Sequence, residues 1–177
     1  AGPCEAQGEL AVSCQEMAAA LRLQEQHAAQ GQGKHQQGFQ GDTDEVADMD
    51  KDTIIQEYLD KLEYAIGRVE ADILAHFDYA FRIFDLTVDD LKAYEPQLKR
   101  IFQKMIDYDL AFELNSKSMY LYGKEPIYRY ALGLVKELGC HKYSIGSDGH
   151  KLEHFRLAFD KIQDLLDEFG IEDWEIL

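Results

Sequence analysis

Asp148 and His150 close the run Tyr143-Ser-Ile-Gly-Ser-Asp-Gly-His150. An apolar, strand-like stretch enters a Gly-Ser turn and then presents Asp-x-His. On extended backbone, a carboxylate and an imidazole at this spacing point into one site. An Asp oxygen with a His nitrogen suits Zn, Mn or Fe. Such an ion lowers the pKa of a bound water and polarises a phosphoryl oxygen. The pair is thus a candidate both for catalysis and for metal ligation. An Asp after Gly-Ser also commonly caps a helix, which accounts for Asp148 but not for His150. His76 ends a second apolar stretch, Asp72-Ile-Leu-Ala75. By itself it reads either as a buried histidine bonded to backbone or as a ligand.

Other polar residues gather at similar places. Leu110 to Leu114 runs into Asn115-Ser116-Lys117, where turn chemistry and pocket lining are both open. Glu113 alternates with Phe112 and Leu114, so it faces away from them, as a barrel-interior carboxylate, a partner to a ligand or a solvated edge group. Arg82 lies in the aromatic run Phe77-Asp-Tyr-Ala-Phe-Arg-Ile-Phe-Asp85. A guanidinium there can grip a phosphate in a bidentate way, or pair with Asp78 or Asp85. His154 lies one helical turn beyond His150, without the intervening glutamate of the zinc-protease pattern, and reads as a surface residue. Tyr128, Arg129 and Tyr130 read as packing or surface.

These residues need elements to hold them. Asp52 to Ile66 has a helical apolar stripe of Ile55, Leu59, Leu62 and Ile66. A short strand is expected at Asp72 to Ala75. Thr87 with Asp90 resembles a helix N-cap pair, and the helix after it reaches about Asp107, with Pro96 marking a break or a new first turn. Leu110 to Leu114 predicts a strand, Glu125-Pro126 opens a helix that ends near Gly139, and Tyr143 to Gly146 predicts a strand. Leu152 to Phe169 predicts one long helix, and Trp174 to Leu177 a last short strand. This alternation predicts parallel strands with helices outside. Polar residues at three C-terminal strand ends suggest the active-site face of a barrel. Three or four strands do not close one, which leaves part of a larger barrel, a half-barrel that dimerises, or a small open sheet.

The 177 residues suit one ordinary domain, and 46% apolar content supplies a core. Residues 1–47 differ: they are rich in Gln, Gly and Ala, and predict a low-order tail, with residues 48–177 as the folded domain. His27 and His35 read as solvated within that tail. A formal net charge of −16 argues against nucleic acid as a partner. It does not exclude a small phosphate ester. Cys4, Cys14 and Cys140 have no ligand-like spacing and read as reduced thiols. No apolar run is long enough to span a bilayer, and no signal-peptide pattern is present, so the expected location is the cytoplasm, with no membrane partner.

Asp72-Ile-Leu-Ala-His-Phe-Asp-Tyr79, Ala111-Phe-Glu-Leu-Asn-Ser116 and Ser144-Ile-Gly-Ser-Asp-Gly-His150 together resemble the polymerase-and-histidinol-phosphatase (PHP) phosphoesterases. The stretch from Ile73 to about Asp85 looks closest to monofunctional histidinol-phosphatases. The likeness covers roughly residues 50 to 172. It implies an α/β fold, the C-terminal part of a distorted (β/α)7 barrel with parallel strands and outer helices. It also implies metal-dependent hydrolysis of L-histidinol phosphate in histidine biosynthesis. On that reading His76, Asp148 and His150 hold a divalent metal ion (Zn, Mn or Fe), Asp148 and His150 are catalytic, and Arg82, Asn115 and Ser116 bind the substrate. The family's first-strand H-x-H, and its further His and Glu ligands, have no counterpart here. A half-barrel of this kind is expected to self-associate or to pair with a missing N-terminal half. The alternatives are a phosphoesterase for another small ester, or a non-catalytic fragment that binds a metal or a partner chain.

Overall fold

β2, Ala111–Asn115, is the strand on which the rest is assembled. All its residues but Glu113 are buried, as expected of a central parallel strand covered on both faces. A computed structural model describes residues 50–84 and 86–177, and the expectations for the tail, with Cys4, Cys14, His27 and His35, lie outside the described residues. The chain divides into two units, Ala1–Ile54 and Ile55–Leu177. In the first, the Asp50 carboxylate accepts from the Thr53 backbone N–H at 3.1 Å and from its hydroxyl at 2.8 Å, which caps the start of helix α1, Lys51–Ala65.

In the second unit β1 (Ile73–Leu74), β2 and β3 (Tyr143–Gly146) form a parallel sheet in that order. Glu113 is in register with Ser144, and Asn115 with Gly146. Ile176 adds a single parallel bridge to Tyr143 on the outer side of β3. The architecture is therefore α/β with an open three-stranded parallel sheet among the described residues. Closure into a seven-stranded barrel is not formed by them, because β1 has two residues and no further strand pairs with its outer edge.

The connecting helices follow the apolar spacing. After α2 (Tyr79–Ile83) and α3 (Val88–Lys92), α4 (Glu95–Asp107) buries Leu98, Ile101, Phe102 and Met105. These lie on one helical face at i, i+3, i+4 and i+7. The Thr87–Asp90 pair forms a reciprocal capping box. α5 (Ser116–Tyr120) leads to α6 (Glu125–Glu137), which buries Ile127, Tyr128, Ala131, Leu132, Leu134 and Val135. Pro96 and Pro126 occupy the first turns of α4 and α6, where a missing N–H costs nothing. The core centres on Phe77, whose ring lies 4.9 Å from Tyr128, 5.4 Å from Phe112 and 5.8 Å from Phe102. Neighbouring residues His76 and Asp78 are thereby tied to the core from between.

Two expectations are corrected. Leu152 to Phe169 is not one helix. A short 3-10 turn at Leu152–His154 is followed by left-handed backbone at Arg156 and Ala158, and only Phe159–Phe169 is the helix α7. Leu152 is 91% exposed and Phe155 73%, so no core contact rewards helix there, whereas Ile162, Leu165 and Leu166 are buried. Trp174 to Leu177 is not a strand along its length. Asp173–Glu175 is a 3-10 turn, and pairing is confined to Ile176 and the Leu177 N–H, which donates to the Tyr143 carbonyl at 2.9 Å.

Candidate functional site

The C-terminal ends of the three strands hold one connected polar network. At the end of β1, His76 adopts left-handed backbone with φ 53°, and beyond β3 Asp148 does so with φ 45°. Non-glycine residues in this region are uncommon and are held there by their surroundings. His76 is held at both backbone groups. Its N–H donates to Glu113 Oε2 at 2.9 Å, and its carbonyl accepts from the Tyr58 hydroxyl at 2.6 Å and the Tyr79 N–H at 2.9 Å. Burial, reinforced by the negative charge of Asp78, pushes the Tyr58 hydroxyl well above its ordinary pKa, so it stays a donor.

Asn115 ends β2 and caps α5, its Oδ1 accepting from the Ser118 N–H at 2.9 Å. That bond fixes the amide, so Nδ2 is the atom 3.1 Å from His76 Nδ1. Arg82 Nη2 stands 3.0 Å from the same nitrogen. Both neighbours are donors, which makes Nδ1 their acceptor. Glu113 Oε2 lies 3.5 Å from Nδ1 and is the competing partner, one that would favour a proton there.

Arg82 links the two halves of the site. It donates through Nε to Asp78 Oδ2 at 3.1 Å and through Nη2 to Asp78 Oδ1 at 3.3 Å. Its Nη1 lies 3.7 Å from Asp148 Oδ2. Burial acts against the guanidinium charge, but Asp78, by charge and hydrogen bond, reverses this and raises its pKa above the ordinary arginine value. Lys117 is a second cation, 3.4 Å from Asp148 Oδ2 and 3.2 Å from the Asp148 carbonyl. His150 Nε2 lies 3.1 Å from Asp148 Oδ1, and its side chain is 61% exposed. Tyr122 stands beside both cations, its ring centroid 5.9 Å from Arg82 Cζ and 5.7 Å from Lys117 Nζ.

The structure thus brings His76, Arg82, Asn115, Asp148 and His150 into one network. Ser116 opens α5 beside Asn115, with its hydroxyl buried and without a hydrogen-bond partner. The expectation that Asp148 and His150 share a site through extended backbone is corrected: Asp148 is left-handed, and the two meet by a direct hydrogen bond. His154 is not a surface residue, since its side chain is 16% exposed and its Nδ1 is buried without a partner. Lys117, which the sequence left open between turn chemistry and pocket lining, joins the network through Asp148. Glu113 was signalled by its alternation and Asp78 by its helical spacing to Arg82.

Among the described residues no three of His, Cys, Asp and Glu are grouped to hold a divalent ion. His76 Nδ1 is occupied by two donors, Arg82 Nη2 and Asn115 Nδ2. Asp148 is already neutralised by Arg82 and Lys117. In this arrangement the residues do not fit a metal centre.

Over 121 residues the chain is 26% identical to a Thermotoga maritima protein named probable histidinol-phosphatase. The match covers 68% of this chain and 51% of that protein, so the chain spans about half the length of this relative. No family model matches the chain, and no solved structure does. No helix among the described residues is long and apolar enough to cross a membrane.

Proposed function

We propose that the chain carries the phosphate-binding side of a phosphomonoester hydrolase of the PHP type, and that its substrate is L-histidinol phosphate. The observation that carries the class is the convergence of Arg82 and Lys117 on one carboxylate, Asp148, beside His150. Two cations so placed in a chain of strong negative net charge form a local anion site, which a phosphate can enter by taking the place of the Asp148 oxygens. The likeness to the probable histidinol-phosphatase is what favours this substrate in the reading.

On this reading Arg82 and Lys117 bind and neutralise the phosphate, and Asn115 and Ser116 line its pocket. Asp148 accepts from His150 Nε2, which leaves the lone pair on Nδ1 and orients the ring as a proton acceptor for water. The resemblance adds a divalent ion (Zn, Mn or Fe) on His76, Asp148 and His150. That set requires His76 Nδ1 to release Arg82 and Asn115 and to donate to Glu113 instead, as ligating histidines commonly do to a carboxylate. Cytoplasmic location, and self-association or pairing with a second polypeptide, belong to the same reading.

The test is phosphate release from L-histidinol phosphate by the purified chain, with and without added Mn or Zn, alongside a panel of nucleotide and sugar phosphates. Release that depends on His150 and Arg82, and that favours histidinol phosphate, is the expected result. Equal turnover across the panel would move the assignment to a general small-ester phosphatase. No release from any ester by folded protein would leave the non-catalytic fragment.

A further inference from the structure

We propose that Asp78 is the positioning residue of this site, the group that sets which edge of Arg82 meets a phosphate. The inference rests on the phosphate-binding reading and deepens it. Asp78 is fully buried. A buried carboxylate survives only when paired and hydrogen-bonded, and Asp78 is saturated. Oδ1 accepts from the Tyr128 hydroxyl at 2.9 Å and from Arg82 Nη2 at 3.3 Å. Oδ2 accepts from Arg82 Nε at 3.1 Å and from the Ser118 hydroxyl. Tyr128 and Ser118 are themselves fixed, Tyr128 in the ring cluster around Phe77 and Ser118 in the first turn of α5.

The consequence for Arg82 is geometric. A guanidinium has one side edge, Nε with Nη2, and one end edge, Nη1 with Nη2. Asp78 occupies the side edge in a bidentate fork. The end edge is therefore turned to His76 Nδ1 and Asp148, at 3.0 Å and 3.7 Å. Arg82 cannot swing to offer its side edge without leaving Asp78 buried and unpaired. The long side chain is thus pre-organised, and a phosphate meets an edge already aimed.

This role separates from simple electrostatics by sign. Asp78→Asn removes a negative charge near the anion site, and charge alone predicts tighter phosphate binding. Positioning predicts the reverse. The experiment is titration of the full chain with inorganic phosphate by calorimetry, for wild type, Arg82→Ala, Asp78→Asn and the double variant. Asp78→Asn is expected to weaken binding about tenfold, close to the loss in Arg82→Ala, equivalent to about 1.4 kcal/mol. The double variant is expected to lose no more than Arg82→Ala alone, because Asp78 acts through Arg82. Unchanged or tighter binding by folded Asp78→Asn, or losses that add, would overturn the inference.

A second measurement needs no variant. In wild type the Arg82 Nε–H nitrogen-15 signal is expected to exchange slowly with water compared with that of exposed Arg68. It is also expected to hold its position as phosphate is added. Fast exchange at Arg82 Nε–H would overturn the positioning role even if Asp78→Asn does not fold. Wild type that binds no phosphate, with a protected Nε–H, would instead remove the phosphate-binding reading.

Discussion

Replacing Gly146 with alanine places a Cβ 2.3 Å from Glu113 Oε1 and 3.2 Å from Glu113 Cδ. Gly146 is in β3 and outside the left-handed region, so the backbone itself accepts alanine. The obstacle is the carboxylate of the neighbouring strand. A Cβ contact is comfortable near 3.4 Å, so Oε1 must retreat by roughly 1 Å. The end of a glutamate can swing that far, and the steric cost is small. The larger cost is what Oε2 loses, the 2.9 Å hydrogen bond from the His76 N–H. A hydrogen bond to a charged group contributes about 1.5–3 kcal/mol. The site is half-open to water, which can reach the freed N–H, so the low end applies. The expected destabilisation is about 1.5–2 kcal/mol. For a unit the size of Ile55–Leu177 this lowers Tm by roughly 5–10 °C.

The assay is thermal and urea unfolding of Gly146→Ala, Glu113→Ala and the double variant. If the glycine is needed because of Glu113, alanine at 146 costs under about 0.5 kcal/mol once Glu113 is gone. Additive losses, or a Gly146→Ala Tm within 1–2 °C of wild type, would refute the account of how the strand ends are built.

Three further outcomes follow from the same geometry. Phe77→Ala removes the ring at the centre of the aromatic core and is expected to cost about 3–5 kcal/mol in urea unfolding; a loss under 1 kcal/mol would show that the cluster does not anchor the His76 turn. The Glu95 carboxyl is held below its usual range by the Tyr130 hydroxyl and then by Lys99, and the Asp109 carboxyl by the Lys142 ammonium. Lowered folded values mean that stability is present above the unfolded pKa of about 4 and is lost as pH falls through the folded one, so Tyr130→Phe with Lys142→Met should flatten the fall of Tm between about pH 5 and pH 2. Asp148→Asn should tighten inorganic phosphate binding about tenfold while abolishing ester hydrolysis, measured by calorimetry and phosphate release; weaker binding would show that Arg82 and Lys117 are not the anion site.

Much of the fold was legible because its signals are local. The apolar stripes of α4 and α6, the Thr87–Asp90 box and the prolines at N-terminal turns each depend on neighbours within one or two helical turns. The span from Leu152 to Phe169 misread because a stripe records apolar spacing but not whether a surface exists to bury it, and Leu152 and Phe155 find none. The site was legible as residues but not as connections. The spacing of Asp148 and His150 suggested a shared site on extended backbone, but the two meet from left-handed backbone at Asp148 through a direct hydrogen bond, which the motif does not record. Lys117 is different. Its position two residues past β2 does not show its partner, and it joins the network only because Asp148, 31 positions away in sequence, lies 3.4 Å away in space.

Two carboxylates act on Arg82, and their environments give them opposite roles. Asp78 is buried and saturated, so it cannot yield its cation without becoming an unpaired buried charge, a change that costs several kcal/mol. Asp148 holds Arg82 at 3.7 Å, beyond a good hydrogen bond, and shares Lys117 at 3.4 Å. It is 17% exposed, and water can take over the oxygens it would leave. On the proposed reading, an arriving phosphate competes with Asp148 and not with Asp78. The grip that persists is the one that aims the guanidinium, and the grip that yields is the one at the mouth of the site. A strand-end histidine and an Asp-x-His motif alone would not establish this order. It follows from which carboxylate the fold leaves able to let go.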